Sequence, residues 1–111
     1  MGISTHILDT SRGRPGAGVA LELDLLGPSP ERVGQGQTDA DGRWRLALPE
    51  GRALVAGAYR LRFLVDPYLT AAHGASFYPE VVIHFRIERP EEHFHVPLLL
   101  SPFGYSTYRG S

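Results

Sequence analysis

Cysteine and lysine are both missing from this chain of 111 residues. Without cysteine, a disulfide framework, a thiolate nucleophile and a cysteine-ligated metal cluster are all excluded. Without lysine, Schiff-base chemistry on a lysine side chain is excluded. All eleven basic residues are therefore arginine, which we attribute to genomic composition rather than to function.

An excess of charge and long apolar runs are missing as well. The net charge is −1, and the basic stripe that a nucleic-acid-binding protein needs is not there. No apolar run approaches the roughly 20 residues of a membrane-spanning helix. The first residues carry neither the basic nor the apolar region of a signal peptide, so we expect a cytoplasmic protein that binds neither nucleic acid nor membrane.

Short apolar segments separated by Gly, Pro and Asp are what the chain has instead. This pattern predicts an all-β sandwich in one domain, residues 1–111, with about eight strands and one short helix. The predicted strands cover residues 4–9, 19–26, 32–38, 43–48, 58–65, 80–88, 93–100 and 105–109. Residues 67–74 begin with proline and end with glycine, which predicts the helix.

The last nineteen residues are unusually aromatic for a chain end, since chain ends are commonly polar and mobile. Phe103, Tyr105 and Tyr108 carry large apolar areas that are costly to leave in water. We therefore expect a packed tail, either in its own domain or against another subunit. A packed tail would bring the Ser111 hydroxyl and a free carboxylate to the wall of a site.

Histidine is the residue type best suited to chemistry here. His93 and His95 are two apart, so on a strand they point to the same side. They would supply two metal ligands, and no spacing identifies a third. The remaining histidines are His6, His73 and His84. From the residues alone, ordinary histidines and a solvated Arg43 after the turn at residues 38–42 are the simpler interpretation.

Three segments together resemble the 5-hydroxyisourate hydrolase family, the transthyretin-related proteins of urate breakdown. They are residues 4–15 (STHILDTSRGRP), residues 38–43 (TDADGR) and residues 93–101 (HFHVPLLLS) running on into 105–111 (YSTYRGS). The ending YRGS is the most specific of these motifs, and the resemblance covers essentially the whole chain. It implies a transthyretin-like, two-sheet antiparallel sandwich that forms a homotetramer, a dimer of dimers with sites in a channel between the dimers.

The resemblance also implies the site and its reaction. The catalytic residues would be His6, Arg43, His95 and Ser111, and the substrate would be bound by His6, Arg43 and Tyr108, without metal or organic cofactor. The reaction would be attack of water on a cyclic amide of 5-hydroxyisourate, giving 2-oxo-4-hydroxy-4-carboxy-5-ureidoimidazoline.

The chemistry of these residue types suits that reaction. Histidine titrates near neutral pH, so two histidines can divide the roles of general base and general acid. Arg43 stays protonated and suits the electron-rich ring and the developing oxyanion. Ser111 would relay a proton and Tyr108 would hold or stack on the substrate, while the division of roles between His6 and His95 stays open.

Three other readings predict different properties. A transthyretin-like carrier would bind a small aromatic ligand in the same channel, and its lining would be apolar. A metal-dependent hydrolase built on His93 and His95 would lose activity on chelation. A structural adhesion domain would not need an aromatic, packed C-terminus.

Overall fold

The structure is a computed structural model that describes residues 2–111. In these residues nine strands form two sheets, and there is one helix. The elements are β1 (Gly2–Asp9), β2 (Arg14–Pro15), β3 (Ala20–Leu25), β4 (Glu31–Gln37), β5 (Arg43–Arg45), β6 (Gly57–Leu64), α1 (Asp66–His73), β7 (Val81–Ile87), β8 (His93–Ser101) and β9 (Gly104–Thr107). The all-β sandwich with about eight strands and one short helix is confirmed.

The first sheet has the strand order β2-β1-β8-β9, and β5 also pairs with β1. The second sheet has the order β4-β3-β6-β7, so the weakly patterned β4 lies at an edge as its polar sequence suggests. Strand pairs among residues 2–111 are antiparallel except for β1 with β8, which is parallel. No hairpin constrains this pair, because most of the chain separates the two strands.

Alternation along the strands places the core between the two sheets. In the second sheet, Leu21 pairs with Phe63 and Leu23 with Leu61, and all four side chains are buried. The first sheet contributes the buried side chains Ile3, Ile7, Phe94, Val96, Leu98 and Leu100. The residues between them in β1, β5 and β8 therefore face outward, and this outer face carries the candidate site.

Strand β5 is shorter than the predicted strand 43–48. The Leu46 amide still donates to the Ile3 carbonyl at 2.9 Å, and its side chain is buried. Beyond it, Pro49 has no amide to donate to a neighbouring strand, and the chain leaves the sheet until β6. The two-residue strand β2 lies outside the predicted strands.

Two glycines of β4 give Trp44 its place over the second sheet. A Cβ atom at Gly36 would lie 2.6 Å from the Trp44 Nε1 atom, and one at Gly34 would lie 2.5 Å from Leu46 Cδ1. Only glycine at these positions leaves room for the side chains of Trp44 and Leu46, so the edge strand β4 packs closely against them.

Helix α1 begins and ends within one residue of the predicted range 67–74, with Pro67 in its first turn and Gly74 as a left-handed cap at φ 75°. The Gly74 amide donates to the Thr70 carbonyl at 2.9 Å. The helix is too short to cross a bilayer, and it is the only helix in the described part of the chain.

A buried carboxylate ties α1 to the end of β1. Tyr68 Oη and His73 Nε2 lie 2.7 and 2.8 Å from Asp9 Oδ2. Burial alone would raise the pKa of the Asp9 carboxyl, but hydrogen bonds from Tyr68 and His73 outweigh it and hold that pKa below its ordinary value. His73 is thereby a structural partner of Asp9.

Candidate functional site

Strand register brings the predicted site residues together on the outer face of the first sheet. His6 of β1 pairs with Arg43 of β5, while Ser4 pairs with Arg45 on one side and with His95 of β8 on the other. Side chains of paired residues on neighbouring strands point to the same face. Three chain segments that are distant in sequence therefore present imidazole, guanidinium and hydroxyl groups on one surface.

An open pocket of about 450 Å³ lies at this place, within the size range of small-molecule sites. It is lined by Ser4, Thr5, Asp39, Arg43, Trp44, Arg45, His93, His95 and Ser111. Arg43, His95 and Ser111 were predicted as site residues, and the structure places all three in this pocket. His6 lies beside Arg43 in the neighbouring strand, outside the set of lining residues.

The turn before β5 holds Arg43 in position. The Asp39 carboxylate accepts hydrogen bonds from the amides of Asp41, at 2.9 Å, and Arg43, at 3.0 Å. Gly42 has φ +76°, and a Cβ atom there would lie 2.5 Å from the Ile7 carbonyl oxygen. The Ile7 amide donates to the Gly42 carbonyl at 2.8 Å, so the turn is fastened to β1 next to His6.

The two arginines of the pocket are not paired with a carboxylate of the described residues, although Asp39 also lines the pocket. Within residues 2–111, the guanidinium groups of Arg43 and Arg45 form no ion pair and no side-chain hydrogen bond. An unpaired guanidinium in a concave site attracts anionic or electron-rich planar groups. Both side chains are thus available for a ligand.

Ser4 is a site residue that the sequence does not identify, and it connects the two histidines of β8. Its Oγ atom lies 2.8 Å from His93 Nε2 and 2.9 Å from His95 Nδ1. The sequence feature that points to Ser4 is its spacing of two residues from His6, which places both side chains on the same face of β1. His93, whose role the sequence leaves open, therefore belongs to the same cluster as His95.

The imidazole of His95 is suited to accept a proton at neutral pH. Burial lowers the pKa of His95 below its ordinary value of 6.5, and the positive charges of Arg43, His6 and His93 lower it further. A neutral imidazole is a general base, which must be unprotonated when the reaction starts.

The chain terminus reaches the pocket through Gly110. Its amide donates to the His95 carbonyl at 2.8 Å, and a Cβ atom at position 110 would lie 2.6 Å from His95 Cδ2. Glycine is therefore required where the tail crosses the imidazole. Ser111 follows directly and lines the pocket.

Tyr108 does not reach this pocket within one chain. Its side chain is 58% exposed and lines a separate depression of about 270 Å³ with Phe85, Arg86 and Val96. The predicted contact of Tyr108 with substrate stays a prediction. Phe103 and Tyr105 are also exposed, so the tail aromatics are not buried within their own domain.

The other histidines do not join the cluster. His73 is bound to Asp9, and His84 is exposed on β7 of the second sheet. In the described residues, no group of three or more His, Cys, Asp or Glu side chains is arranged to hold a metal ion. His93 and His95 thus have no third ligand of these types in residues 2–111.

The pocket assembles what hydrolysis of an amide requires. A neutral imidazole is available for a water molecule, a second imidazole and a hydroxyl lie near it, and fixed positive charge is available for an oxyanion. Apart from Trp44, every residue that lines the pocket is polar or charged, unlike the lining that an apolar ligand would need.

Comparison with known proteins agrees with this chemistry. The model of the HIUase/Transthyretin family matches residues 3–110. A 5-hydroxyisourate hydrolase of Caulobacter vibrioides is 43% identical over 115 residues, covering 99% of this chain and 98% of the relative.

Two solved structures are similar over their length. The 5-hydroxyisourate hydrolase of Klebsiella pneumoniae is 38% identical with a TM-score of 0.84, covering 100% of both chains. Sea bream transthyretin, solved in complex with thyroxine, is 30% identical with a TM-score of 0.87, covering 99% of this chain and 95% of that one. These similarities confirm that the sandwich is transthyretin-like, as predicted.

Proposed function

The chain belongs to the HIUase/Transthyretin family, and we propose that it is an enzyme that hydrolyses 5-hydroxyisourate to 2-oxo-4-hydroxy-4-carboxy-5-ureidoimidazoline. The observation that carries the proposal is the convergence of Arg43, His95 and Ser111 in one pocket, with His6 beside Arg43. These are the positions at which the sequence resembles the hydrolases. A place in urate breakdown, a cytoplasmic location and a single domain over residues 1–111 belong to the same proposal.

The reaction follows from the charges of the pocket. The neutral His95 removes a proton from water, and the resulting hydroxide attacks the amide carbon of the substrate ring. Arg43 stabilises the negative charge that develops on the carbonyl oxygen. His6 is the partner imidazole through which a proton reaches the leaving nitrogen, and Ser111 assists that transfer. No step needs a metal or an organic cofactor.

A carrier of small aromatic ligands is the second candidate, because sea bream transthyretin has the same fold and was solved with thyroxine. The lining of the pocket favours the hydrolase. It presents two histidines and two unpaired arginines, whereas a carrier for an apolar aromatic ligand needs an apolar lining.

We further propose a homotetramer, a dimer of dimers, in which the exposed aromatic tail is covered by other subunits. Phe77, Phe103 and Tyr105 are exposed, and their rings form one connected cluster with Tyr78. Exposed apolar patches of this kind mark interaction surfaces. In such an assembly Tyr108 of one subunit would lie next to the site of a neighbouring subunit.

The test is a spectrophotometric assay on 5-hydroxyisourate generated in situ by urate oxidase, with and without EDTA. We expect the purified protein to accelerate the decay of 5-hydroxyisourate in proportion to its concentration, equally with and without EDTA. A carrier would bind the compound without accelerating its decay. A metal-dependent hydrolase would lose its activity in EDTA.

Deletion of residues 108–111 tests the role of the tail. It removes Ser111 from the pocket and Tyr108 from the proposed interface, so we expect activity and assembly to fall together. Sedimentation velocity and the decay assay measure the two. A truncated protein that remains a fully active tetramer would contradict the proposal for the tail.

A further inference from the structure

The Ser4 hydroxyl lies between two imidazole nitrogens, His93 Nε2 at 2.8 Å and His95 Nδ1 at 2.9 Å. Ser4 is nine-tenths buried on β1, so its side chain has little access to water as an alternative partner. A hydroxyl carries one proton, which it can donate to one imidazole while it accepts a hydrogen bond from the other. The tautomers of His93 and His95 are therefore coupled through Ser4.

Two arrangements satisfy this geometry, and the proposed role of His95 selects one. If His95 donates from Nδ1 to Ser4 and Ser4 donates to His93 Nε2, the lone pair of His95 Nε2 is free to accept a proton. In the opposite arrangement Nε2 carries a hydrogen and cannot act as a base.

Positive groups surround His95 and oppose a lasting charge on its ring. The groups that face it are Arg43 and Arg45 of β5, His6 of β1, His93 of its own strand, Asp39 of the turn and the terminal residue Ser111. Only Asp39 among these side chains carries negative charge. A proton taken from water is therefore better held elsewhere.

His93 is placed to hold that charge. In the register of β1 with β8 it lies opposite Gly2, whereas Arg43 lies opposite His6 across β1. The nearest arginine on its other side, Arg109, is paired with Glu92 at 3.1 Å. The charge on His93 is thus farther from Arg43 along the strand than a charge on His95.

We propose that Ser4 joins His95 to His93 in a proton relay for the hydrolysis, an inference that rests on the proposed function. As His95 Nε2 takes a proton from water, the Nδ1 proton of His95 passes to Ser4 Oγ, and the Ser4 proton passes to His93 Nε2. The hydroxide keeps the electron pair and attacks the carbonyl carbon.

After these three proton transfers, each group is in the state that the second half of the reaction needs. His95 is neutral with its proton on Nε2, Ser4 is again a hydroxyl, and His93 holds one additional proton and the positive charge. When the Nε2 proton of His95 passes by way of His6 to the leaving nitrogen, the proton on His93 returns through Ser4 to His95 Nδ1. Ser4 and His93 act through His95 and are positioning residues.

Three variants of the full chain test the relay by kinetics. Ser4→Ala removes the hydroxyl, Ser4→Thr keeps it, and His93→Gln removes the proton acceptor. We expect Ser4→Ala and His93→Gln to lower kcat by about tenfold to a hundredfold, the effect of losing one hydrogen bond to a charged group, with KM within about twofold. Ser4→Thr should recover most of the loss. The matched controls are Ser29→Ala in an exposed loop and His84→Gln on the exposed face of β7, and both should keep the wild-type kcat.

The tautomer of His95 supplies a readout that does not depend on turnover. Nitrogen-15 NMR of the imidazoles at neutral pH distinguishes a protonated Nδ1 from a protonated Nε2. We expect the wild type to have the His95 proton on Nδ1, and Ser4→Ala to shift the population toward Nε2 because no acceptor remains at Nδ1.

The outcomes separate the relay from the proposed function. An active wild type with the His95 proton on Nε2, or with unchanged kcat in Ser4→Ala and His93→Gln, would overturn the relay alone. A wild type with the expected tautomer and no turnover of 5-hydroxyisourate would contradict the hydrolase instead, and the relay with it, while the hydrogen-bond assignment would stand.

Discussion

The outer faces of the two sheets use the same residue type in opposite ways. On the second sheet, Asp24 is nearly buried and receives hydrogen bonds from Arg32, at 2.5 Å, and Arg60, at 2.8 Å. Glu22 likewise pairs with Arg32 and Arg62. Each arginine of this ladder has a carboxylate partner, so its charge is used within the molecule.

On the first sheet, Arg43 and Arg45 stand among imidazoles without an ion pair in the described residues. Alternation along a strand directs arginines outward on both sheets and cannot distinguish them. The difference shows that the neighbours across the strand pair decide whether an outward arginine is structural or available for a ligand.

The largest expected effect comes from removing the site groups of the first sheet. Replacing His6, Arg43 or His95 by a small or apolar residue should lower kcat/KM at least about a hundredfold, since one oriented acid-base or charge-stabilising group contributes roughly 10²–10⁴ in rate. The measurement is the decay assay, with circular dichroism to verify folding.

The matched control is Arg62→Met, which removes a paired arginine from the other sheet and should leave kcat/KM near the wild-type value. Wild-type rates in all three site variants would show that this face is not the site. A comparable loss in Arg62→Met would remove the distinction between the two faces.

An intermediate effect, on stability rather than activity, is expected from Asp24→Asn. The amide cannot form ion pairs with two guanidinium groups, so we expect the free energy of unfolding to fall by roughly 1.5–3 kcal/mol, the range for a hydrogen bond to a charged group. Urea unfolding at neutral pH measures this, and kcat of the folded variant should not change.

The pH dependence of this effect follows from the carboxyl group. Burial would raise the pKa of Asp24, but the hydrogen bonds from Arg60 and Arg32 outweigh it and lower that pKa below 3.8. The stabilisation is therefore fully present above about pH 3.8 and is lost as the pH falls through the lower folded-state value. The difference between wild type and Asp24→Asn should shrink on acidification. A difference that grows in acid would contradict the assignment.

The smallest effect is expected from Arg45→Met. Arg45 lines the pocket opposite Ser4 rather than His6, so it lies one residue pair away from the predicted pair of His6 and Arg43. We expect KM to rise by no more than about fivefold with kcat nearly unchanged, the size of an exposed charge interaction. Arg52→Met, which removes an exposed paired arginine outside this pocket, is the control. A loss of kcat/KM as large as that expected for the Arg43 variant would show that Arg45 is also needed for catalysis.

The sequence predicts the elements of this fold better than their neighbours in space. Alternation in residues 58–65 and 80–88 predicts β6 and β7 within a residue at each end, and Pro67 with Gly74 predicts α1. Such patterns are local, since each strand or helix shows its buried face in its own residues. By contrast, the packing of Trp44 and Leu46 against the glycines of β4 joins distant segments, and no local pattern reveals it.

The site was predicted in part by resemblance, and the remainder depends on one strand pair. Ser4 and His95 are neighbours because β1 and β8 run parallel, and parallel pairing across most of a chain leaves no hairpin signal. Ser4 could be placed on the face of His6 by parity, but its position between two imidazoles could not. Tyr108 is predicted by resemblance but lies outside the pocket of the single chain, since its predicted role concerns an assembly.

The crossing of Gly110 over His95 bears on how this protein is prepared. Because Ser111 lines the pocket, an affinity tag joined to it would have its first residues beside Arg43 and His95. We therefore expect a tag fused after Ser111 to lower the activity, and its enzymatic removal to restore the activity without any change in fold.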